Sequence, residues 1–413
     1  MRRVGILHYA APPIVGGVES TIYHHARLLA QRGLEVDVIA GRGEPFHPQV
    51  NFHTIPEIDS KHPDVLAANE ALAQGQVTDA FHSLRDEIAN KLKPIIEQSQ
   101  ASIVHNAFTL HKNLALTAAL YQLAQARVTS FLAWSHDFAW QDHLYTSDLH
   151  PGYPWDLLRT AWPGVRYVVV SEHRRKRLAT LLELPESEIK VITPGVDALK
   201  FLKLEPLTVR LVERLILLEA DPLILLPARI TRRKNIQYAI QVMATIIKSH
   251  PKAALLVTGP PGPHNPKNLA YLESLQTLRT ELALQEAVYF LYEMGESGAP
   301  LHLPDEVIAD LYRLADVLLF PSTSEGFGIP IIEAGLTRLP VVAADIPPFR
   351  ESAGNLADLF DLQDDPEKAA RAIIARLEKD RSYLLRRRVL SRFTWQAIVN
   401  DQIIPLLEEA AEE

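Results

Sequence analysis

Two glutamates eight positions apart, Glu325 and Glu333, bracket the stretch GFGIPII, the part of the chain best equipped for chemistry. The apolar run Val317 to Phe320 ahead of them, bounded by Pro321, predicts a buried parallel strand. Residues 322–328 then turn, and Gly326 and Gly328 on either side of Phe327 let backbone N–H groups come close to a ligand. Pro330 suits the first position of a helix, which would carry Glu333 in its first turn and end at Leu339-Pro340. Val341 to Ala344 predicts the next buried strand. The loop would sit at the carboxyl end of a strand, where open α/β sheets bind ligands. Free N–H groups and a helix N-terminus favour phosphate. A carboxylate beside them is a poor phosphate ligand but a good acceptor for sugar hydroxyls. Together they suggest a nucleotide sugar, although two acids near a helix start could also do no more than compensate its dipole.

A second constellation lies upstream. The strand PLILLPA ends at Arg229, and Lys234 stands at the start of a helix opening at Asn235. A guanidinium can fork onto one phosphate while an ammonium serves the next as a point charge, so this pair suits a diphosphate. Arg232 and Arg233 between them read as solvated. In the first half, Val4 to Tyr9 predicts the first strand, and PPIVGG places Gly16 and Gly17 before a helix at Glu19 to Gln31. This is not the dinucleotide fingerprint, because its third glycine is missing. The pair is either a close-approach site or a tight turn. The strands at Ile103 to Ala107 and Val128 to Trp134 end in His105-Asn106 and His136-Asp137. His136 suits a hydrogen bond to a sugar hydroxyl or a leaving phosphate, or else is a solvated loop histidine. His105, Asn106, His111 and Lys112 face one side and are assigned to an acceptor. His24, His25, His47, His53 and His62 lack ligand spacing and read as surface residues. The aromatic segment 142–162 either walls an acceptor or packs as a surface loop. Arg174, Arg175, Lys176 and Arg177 start a helix whose dipole they oppose. They answer either to a phosphorylated acceptor, to an anionic membrane surface, or simply to solvent.

The glutamate pair, with ADVLLFPS before it and EAG and PVVAAD after it, resembles the signature of a retaining glycosyltransferase family with the GT-B fold. That family, glycosyl transferases group 1, contains sucrose-phosphate synthases and phosphatidylinositol mannosyltransferases. The resemblance covers nearly the whole chain and is strongest in its second half. It implies an α/β protein of two Rossmann-like domains facing a cleft, with transfer of a hexosyl group from a UDP-glucose or GDP-mannose type donor to a hydroxyl. It implies that Arg229 and Lys234 neutralise the leaving diphosphate and that His136 lies beside the donor sugar. Glu325 and the N–H groups of Gly326, Phe327 and Gly328 would hold the sugar, Glu333 the ribose, and Gly16 and Gly17 the donor phosphate or the acceptor. No metal or cofactor is expected beyond the nucleotide sugar as co-substrate. The acceptor, a small molecule, a glycan or a lipid-linked hydroxyl, stays open. So do a non-catalytic nucleotide-sugar-binding protein and a GT-B epimerase or phosphorylase.

Composition agrees with two domains. The 413 residues are long for one core, and 47% hydrophobic with 22% charged residues is ordinary for a globular chain. A net charge of −8 argues against nucleic acid as a partner. The absence of cysteine excludes disulfides, thiolate metal sites and cysteine nucleophiles. No uninterrupted apolar run approaches the roughly 20 residues of a membrane span, and a cytoplasmic location is expected. The predicted boundaries are 1–197 for the first domain, 198–221 for a linker and helix, 222–392 for the nucleotide-sugar domain, and 393–413 for a helix returning to the first domain.

Overall fold

Short apolar runs, each too brief for a helix, set the strands of two separate parallel sheets. The computed structural model describes residues 3–263, 265 and 267–412, so His264 and Pro266 of the loop 259–266 lie outside the described residues. The chain divides into two compact units, cut between Val196 and Asp197 and again between Ser391 and Arg392.

The first unit holds seven strands: β1 (Arg3–Ala10), β2 (Glu35–Arg42), β3 (Val50–Thr54), β4 (Ala101–His105), β5 (Ser130–Ser135), β6 (Val165–Val169) and β7 (Ile189–Val191). Their order is β3-β2-β1-β4-β5-β6-β7, all parallel. Because side chains alternate along a strand, Leu7, Val104 and Phe131 point to one face, where Phe81, Ile88, Leu116 and Leu120 from the helices Asp79–Ile96 and Leu114–Gln125 cover them. Ile6, Ile103 and Leu132 point to the other, against Ile22 and Leu29 of the helix Gly17–Gln31. That second face is completed by the end of the chain. Val196 N donates to Phe393 O at 2.8 Å, and Ile398, Ile403 and Leu407 join the core. Trp395 stacks on His24 with ring centroids 5.0 Å apart. A Cβ at Gly195 would stand 2.9 Å from the backbone nitrogen of Trp395, so only glycine allows this approach.

The second unit holds β8 (Leu223–Leu226), β9 (Ala254–Val257), β10 (Val288–Phe290), β11 (Val317–Phe320), β12 (Val341–Ala344) and β13 (Asp358–Phe360). Their order is β10-β9-β8-β11-β12-β13, again all parallel. Helices Ile236–Ile246, Asp305–Leu314 and Pro366–Lys379 cover this sheet with buried Ile240, Leu311 and Ile373. Residues 197–221 are built into the unit, with Leu211 and Val212 buried in its core. At the sheet's base the buried Asp316 carboxylate accepts from Leu223 N at 2.8 Å and from Arg386 at 2.9 Å, which pins the helix Arg381–Arg392 to the strands. In both sheets the strand order reverses at one place, between β1 and β4 and between β8 and β11. Such switch points are where open α/β sheets leave a crevice at their carboxyl ends.

Two histidines read as surface residues are in the core. His24 is 6% and His25 0% exposed. His25 follows Ile22 by three positions and precedes Leu29 by four, so it lies on the helix's apolar stripe. Its ring stands edge-on to Trp134 and Trp395. Burial lowers its imidazole pKa to about 3, with the nearby His136 and His24 adding to the effect. His53 also departs from the surface reading, because Nε2 meets the buried Asp37 carboxylate at 2.8 Å.

Truncating Trp395 to alanine should cost about 3–5 kcal/mol, read as a lower denaturant midpoint for the first unit's transition; an unchanged midpoint would mean that the terminal segment is not part of that core. A histidine whose folded pKa lies below its unfolded value leaves stability untouched above about pH 6.5. Below that, the unfolded chain binds the proton and stability falls. Between pH 7.5 and pH 5 the native protein should therefore lose more stability than His25→Leu, by on the order of 2 kcal/mol. Equal losses in denaturant unfolding would contradict a buried neutral imidazole.

Candidate functional site

In the second unit the candidate residues gather at the β8/β11 switch point. β8 delivers Arg229, which stands exposed at the strand's end. The chain then makes a short turn, Arg232–Lys234, and passes through Asn235 at φ 50° before the helix Ile236–Ile246 begins. The helix thus starts one residue later than predicted, and Lys234 is held in the turn ahead of it. The loop after β11 is zipped to this turn, with Thr323 N donating to Arg233 O at 2.8 Å. The two loops close over one ion pair. Lys234 Nζ donates to Glu325 Oε1 at 2.5 Å, with the side chains only 10% and 9% exposed. Arg233 donates to the other oxygen of Glu325 at 2.7 Å and to Ser324 O at 3.1 Å, so it is not merely solvated. Burial favours the neutral Glu325 acid, but the Lys234 and Arg233 donors outweigh it and hold the carboxyl below its usual range. The Lys234 ammonium also lies 4.8 Å from the centre of the Phe320 ring, a cation–π contact.

The glycine loop then feeds the helix Ile329–Thr337. Gly328 caps it at φ 100°, a left-handed conformation, and an added Cβ would meet the Phe349 ring at 2.9 Å. Phe349 in turn stacks on Phe320 at 4.9 Å. At Gly326 an added Cβ meets nothing within 4 Å, and Phe327 is 42% exposed. Glu333 is not in the first turn, as the position of Pro330 predicted. The helix begins at Ile329, so Glu333 is its fifth residue and contributes little to the dipole. Its Oε2 accepts from the Tyr312 hydroxyl at 2.6 Å. Burial and the adjoining carboxylate raise that phenol well above its ordinary value, so it stays a donor. Tyr312 lies on the helix Asp305–Leu314, which fixes the carboxylate's direction.

In the first unit, residues at the β1/β4 switch point and the neighbouring end of β5 form a histidine group. His105 closes β4 and is fully buried. Its Nδ1 lies 3.3 Å from His136 Nε2, in the loop after β5. His8 on β1 was not singled out by its sequence context. Its Nδ1 lies 3.0 Å from His105 O, which makes Nδ1 the protonated nitrogen. Asn106, at φ 61°, turns its side-chain oxygen to accept from His136 N at 2.8 Å. His105 and Asn106 are therefore committed to holding His136 and are covered, while Lys112 is exposed. Burial lowers the imidazole pKa of His8 and of His136 to about 4, and that of His105 well below the ordinary value. Gly17 has nothing within 4 Å of an added Cβ, and Gly16 meets only the Glu19 carboxylate. Neither is required by the packing around it. The basic helix start is engaged internally: Arg174 with Asp137 at 3.0 Å, Arg175 with Glu172 at 2.7 Å, and Arg177 with Gln141. Among the described residues no group of three or more His, Asp or Glu side chains could hold a metal ion. Nor is any helix among them long and apolar enough to cross a membrane.

Two family models match successive parts of the chain: Glycosyltransferase Family 4 over residues 15–198 and Glycosyl transferases group 1 over residues 212–391. A mannosylglucosylglycerate synthase of Petrotoga mobilis is 24% identical over 66% of this chain and 65% of its own length. A D-inositol 3-phosphate glycosyltransferase of Nocardia farcinica is 29% identical over 44% of this chain and 38% of its own. The chain thus spans less than two thirds of the length of these relatives. A sucrose-phosphate synthase structure from Thermosynechococcus elongatus aligns over the whole of both chains at 18% identity, with a TM-score of 0.40. Both are glycosyltransferase family models, and between them they cover residues 15–198 and 212–391 of this α/β chain.

Proposed function

We propose that this glycosyltransferase moves a hexosyl group from a nucleoside diphosphate sugar to an acceptor hydroxyl, with the anomeric configuration retained and cationic side chains in place of a metal. The observation that carries this reading is the Lys234–Glu325 ion pair at the β8/β11 switch point, with the exposed Arg229 on the adjoining strand end. A diphosphate entering there meets one ammonium already fixed in position and one guanidinium free to fork onto it. Glu325 then exchanges one cationic partner for the hydroxyls of the sugar and keeps Arg233. The open space at Gly326 leaves its N–H approachable, and the Tyr312-oriented Glu333 accepts from the ribose.

In the transfer step the bond between the anomeric carbon and the diphosphate oxygen breaks first. Negative charge builds on that oxygen as an oxocarbenium-like sugar forms, and Lys234 and Arg229 stabilise it. The acceptor oxygen bonds to the anomeric carbon on the face the diphosphate leaves, and the departing oxygen takes the acceptor's proton. In the first unit, His136 is neutral at physiological pH because burial disfavours its charge, which suits it to a hydrogen bond with a hydroxyl.

A thermal-shift series with UDP-, GDP- and ADP-sugars identifies the donor, since a ligand at 100 times its dissociation constant stabilises by about 2.7 kcal/mol. No shift with any of them would remove the proposal. Lys234→Ala should lower the transfer rate at least about 100-fold; wild-type turnover in that variant would mean that the diphosphate leaves elsewhere. Glu333→Ala should weaken nucleotide binding about tenfold, and Tyr312→Phe by less, because the carboxylate remains but loses its orientation. Titration calorimetry ranking the two variants the other way round would contradict the ribose role.

A further inference from the structure

Residues 376–391 carry six lysines and arginines against two acids, in a chain whose net charge is −8. They form the end of the helix Pro366–Lys379 and most of the helix Arg381–Arg392, in the second unit. The latter helix contains no acid, and none of its residues is buried. Polar contacts fasten it to the sheet. Arg386 reaches Asp316 at 2.9 Å and Ala315 O at 3.2 Å, and Arg387 reaches Ala220 O at 2.6 Å and Asp221 at 3.2 Å. The Tyr383 hydroxyl also donates to Asp221. At about 3.6 residues per turn, Tyr383, Arg386 and Arg387 share this inner face, which leaves Arg381, Leu384, Leu385 and Arg388 on the outer one. Leu384 is 47% and Leu385 63% exposed, and both flanking arginines are exposed as well. A helix on a globular domain ordinarily turns its leucines inward and its charges outward. Here charged residues take the inner positions and the leucines stand outside among cations.

A cavity of about 550 Å³ opens beside the start of this helix, lined by Arg376, Lys379 and Arg381 with Asp358 and Asp380. Its two acids are already in use. Asp380 caps the helix, accepting from Ser382 N at 2.8 Å and Tyr383 N at 3.2 Å, and Asp358 stands 3.9 Å from Arg376. Lys379 and Arg381 form no ion pair among the described residues, and Arg381 in the first helical turn opposes the dipole. The basic helix start of the first unit differs, because Arg174, Arg175 and Arg177 have internal partners there. Asp358 opens β13 and Asp316 precedes β11, so the patch lies at the amino ends of the strands. The Lys234–Glu325 loops lie at the opposite ends.

We propose that this face docks the second unit onto an anionic phospholipid surface. Leu384 and Leu385 enter the boundary between head groups and acyl chains, while Lys379 and Arg381 meet head-group phosphates. A free phosphate or a nucleic acid would answer the cations and leave the leucines in water. An apolar protein surface would cover the leucines and leave the cations without anions. An anionic bilayer offers both, charge at its surface and hydrocarbon beneath, and basic stems can lie along the leucines as they reach upward. The docking chemistry does not depend on the glycosyltransfer reading.

The test is co-sedimentation of the full chain with phosphatidylcholine vesicles and with vesicles that also contain phosphatidylglycerol. The anionic vesicles should bind at least about tenfold more tightly at low salt, and high salt should erode that margin. Lys379→Gln combined with Arg381→Gln should weaken binding to them about 20-fold, since each cation near the surface is worth about fivefold. Leu384→Ser combined with Leu385→Ser should weaken it at least about tenfold at unchanged charge. Both double variants alter exposed side chains and should keep the native denaturant midpoint. Equal binding to both vesicles, no binding to either, or native binding by the leucine variant would each overturn the proposal. So would a short RNA that binds native protein and leucine variant alike and displaces the vesicles, which would mark the patch as a nucleic-acid surface. Binding lost in Lys176→Gln but kept in both double variants would also overturn it, by moving the contact to the basic helix of the first unit.

Discussion

An ammonium and a carboxylate 2.5 Å apart, both about nine-tenths covered, impose the main constraint on the second unit. Taking two charges out of water costs several kcal/mol each, and their attraction repays this only with close geometry and further hydrogen bonds. The surroundings of Lys234 and Glu325 supply both. Arg233 occupies the second carboxylate oxygen, Phe320 offers its ring face to the ammonium, and the Thr323–Arg233 backbone bond locks the two loops together. Phe349 buttresses Phe320, and the room it needs is the reason a side chain cannot be added at Gly328. Removing either charge would leave the other buried and poorly compensated. The pair therefore keeps a cation fixed in place at the switch point.

The first unit solves a related problem with neutral groups. His136 is held from two sides, by the His105 ring and by the Asn106 side chain, and His105 is itself anchored through its carbonyl to His8. Burial keeps these imidazoles uncharged, which suits hydrogen bonding to a sugar and avoids placing several cations beside one another. Where the second unit presents fixed charge, the first presents oriented, uncharged donors and acceptors.

Much of this was legible in the amino-acid sequence where burial is uniform. The runs LILL, VLLF and VVAA are buried along their whole length and announce themselves as central parallel strands. The edge strands β3 and β13 were not legible, because VNFHT and DLF are half exposed and have neither a long apolar run nor a clean alternation. The placing of Arg229, Lys234, Glu325 and Glu333 on the loops and helix that follow β8 and β11 was legible because loop, glycine and helix signals converge on them. Their mutual contacts were not: spacing alone does not say that Lys234 and Arg233 both turn onto Glu325. The start of the helix at Ile329 was misjudged because Pro330 is equally acceptable at the second position. His25 was misread because histidine is rarely a core residue, although its place on the apolar stripe was visible. The place of His8 depends on contacts between elements distant in sequence, which no local pattern encodes.

The account stands or falls on where a nucleoside diphosphate comes to rest. A crystal structure of the protein with bound UDP or GDP should place the terminal phosphate within hydrogen-bonding distance of Lys234 Nζ and of the Arg229 guanidinium, with the ribose on Glu333. A nucleotide seated away from the β8/β11 loops, with the Lys234–Glu325 contact undisturbed and Arg229 still unengaged, would contradict it.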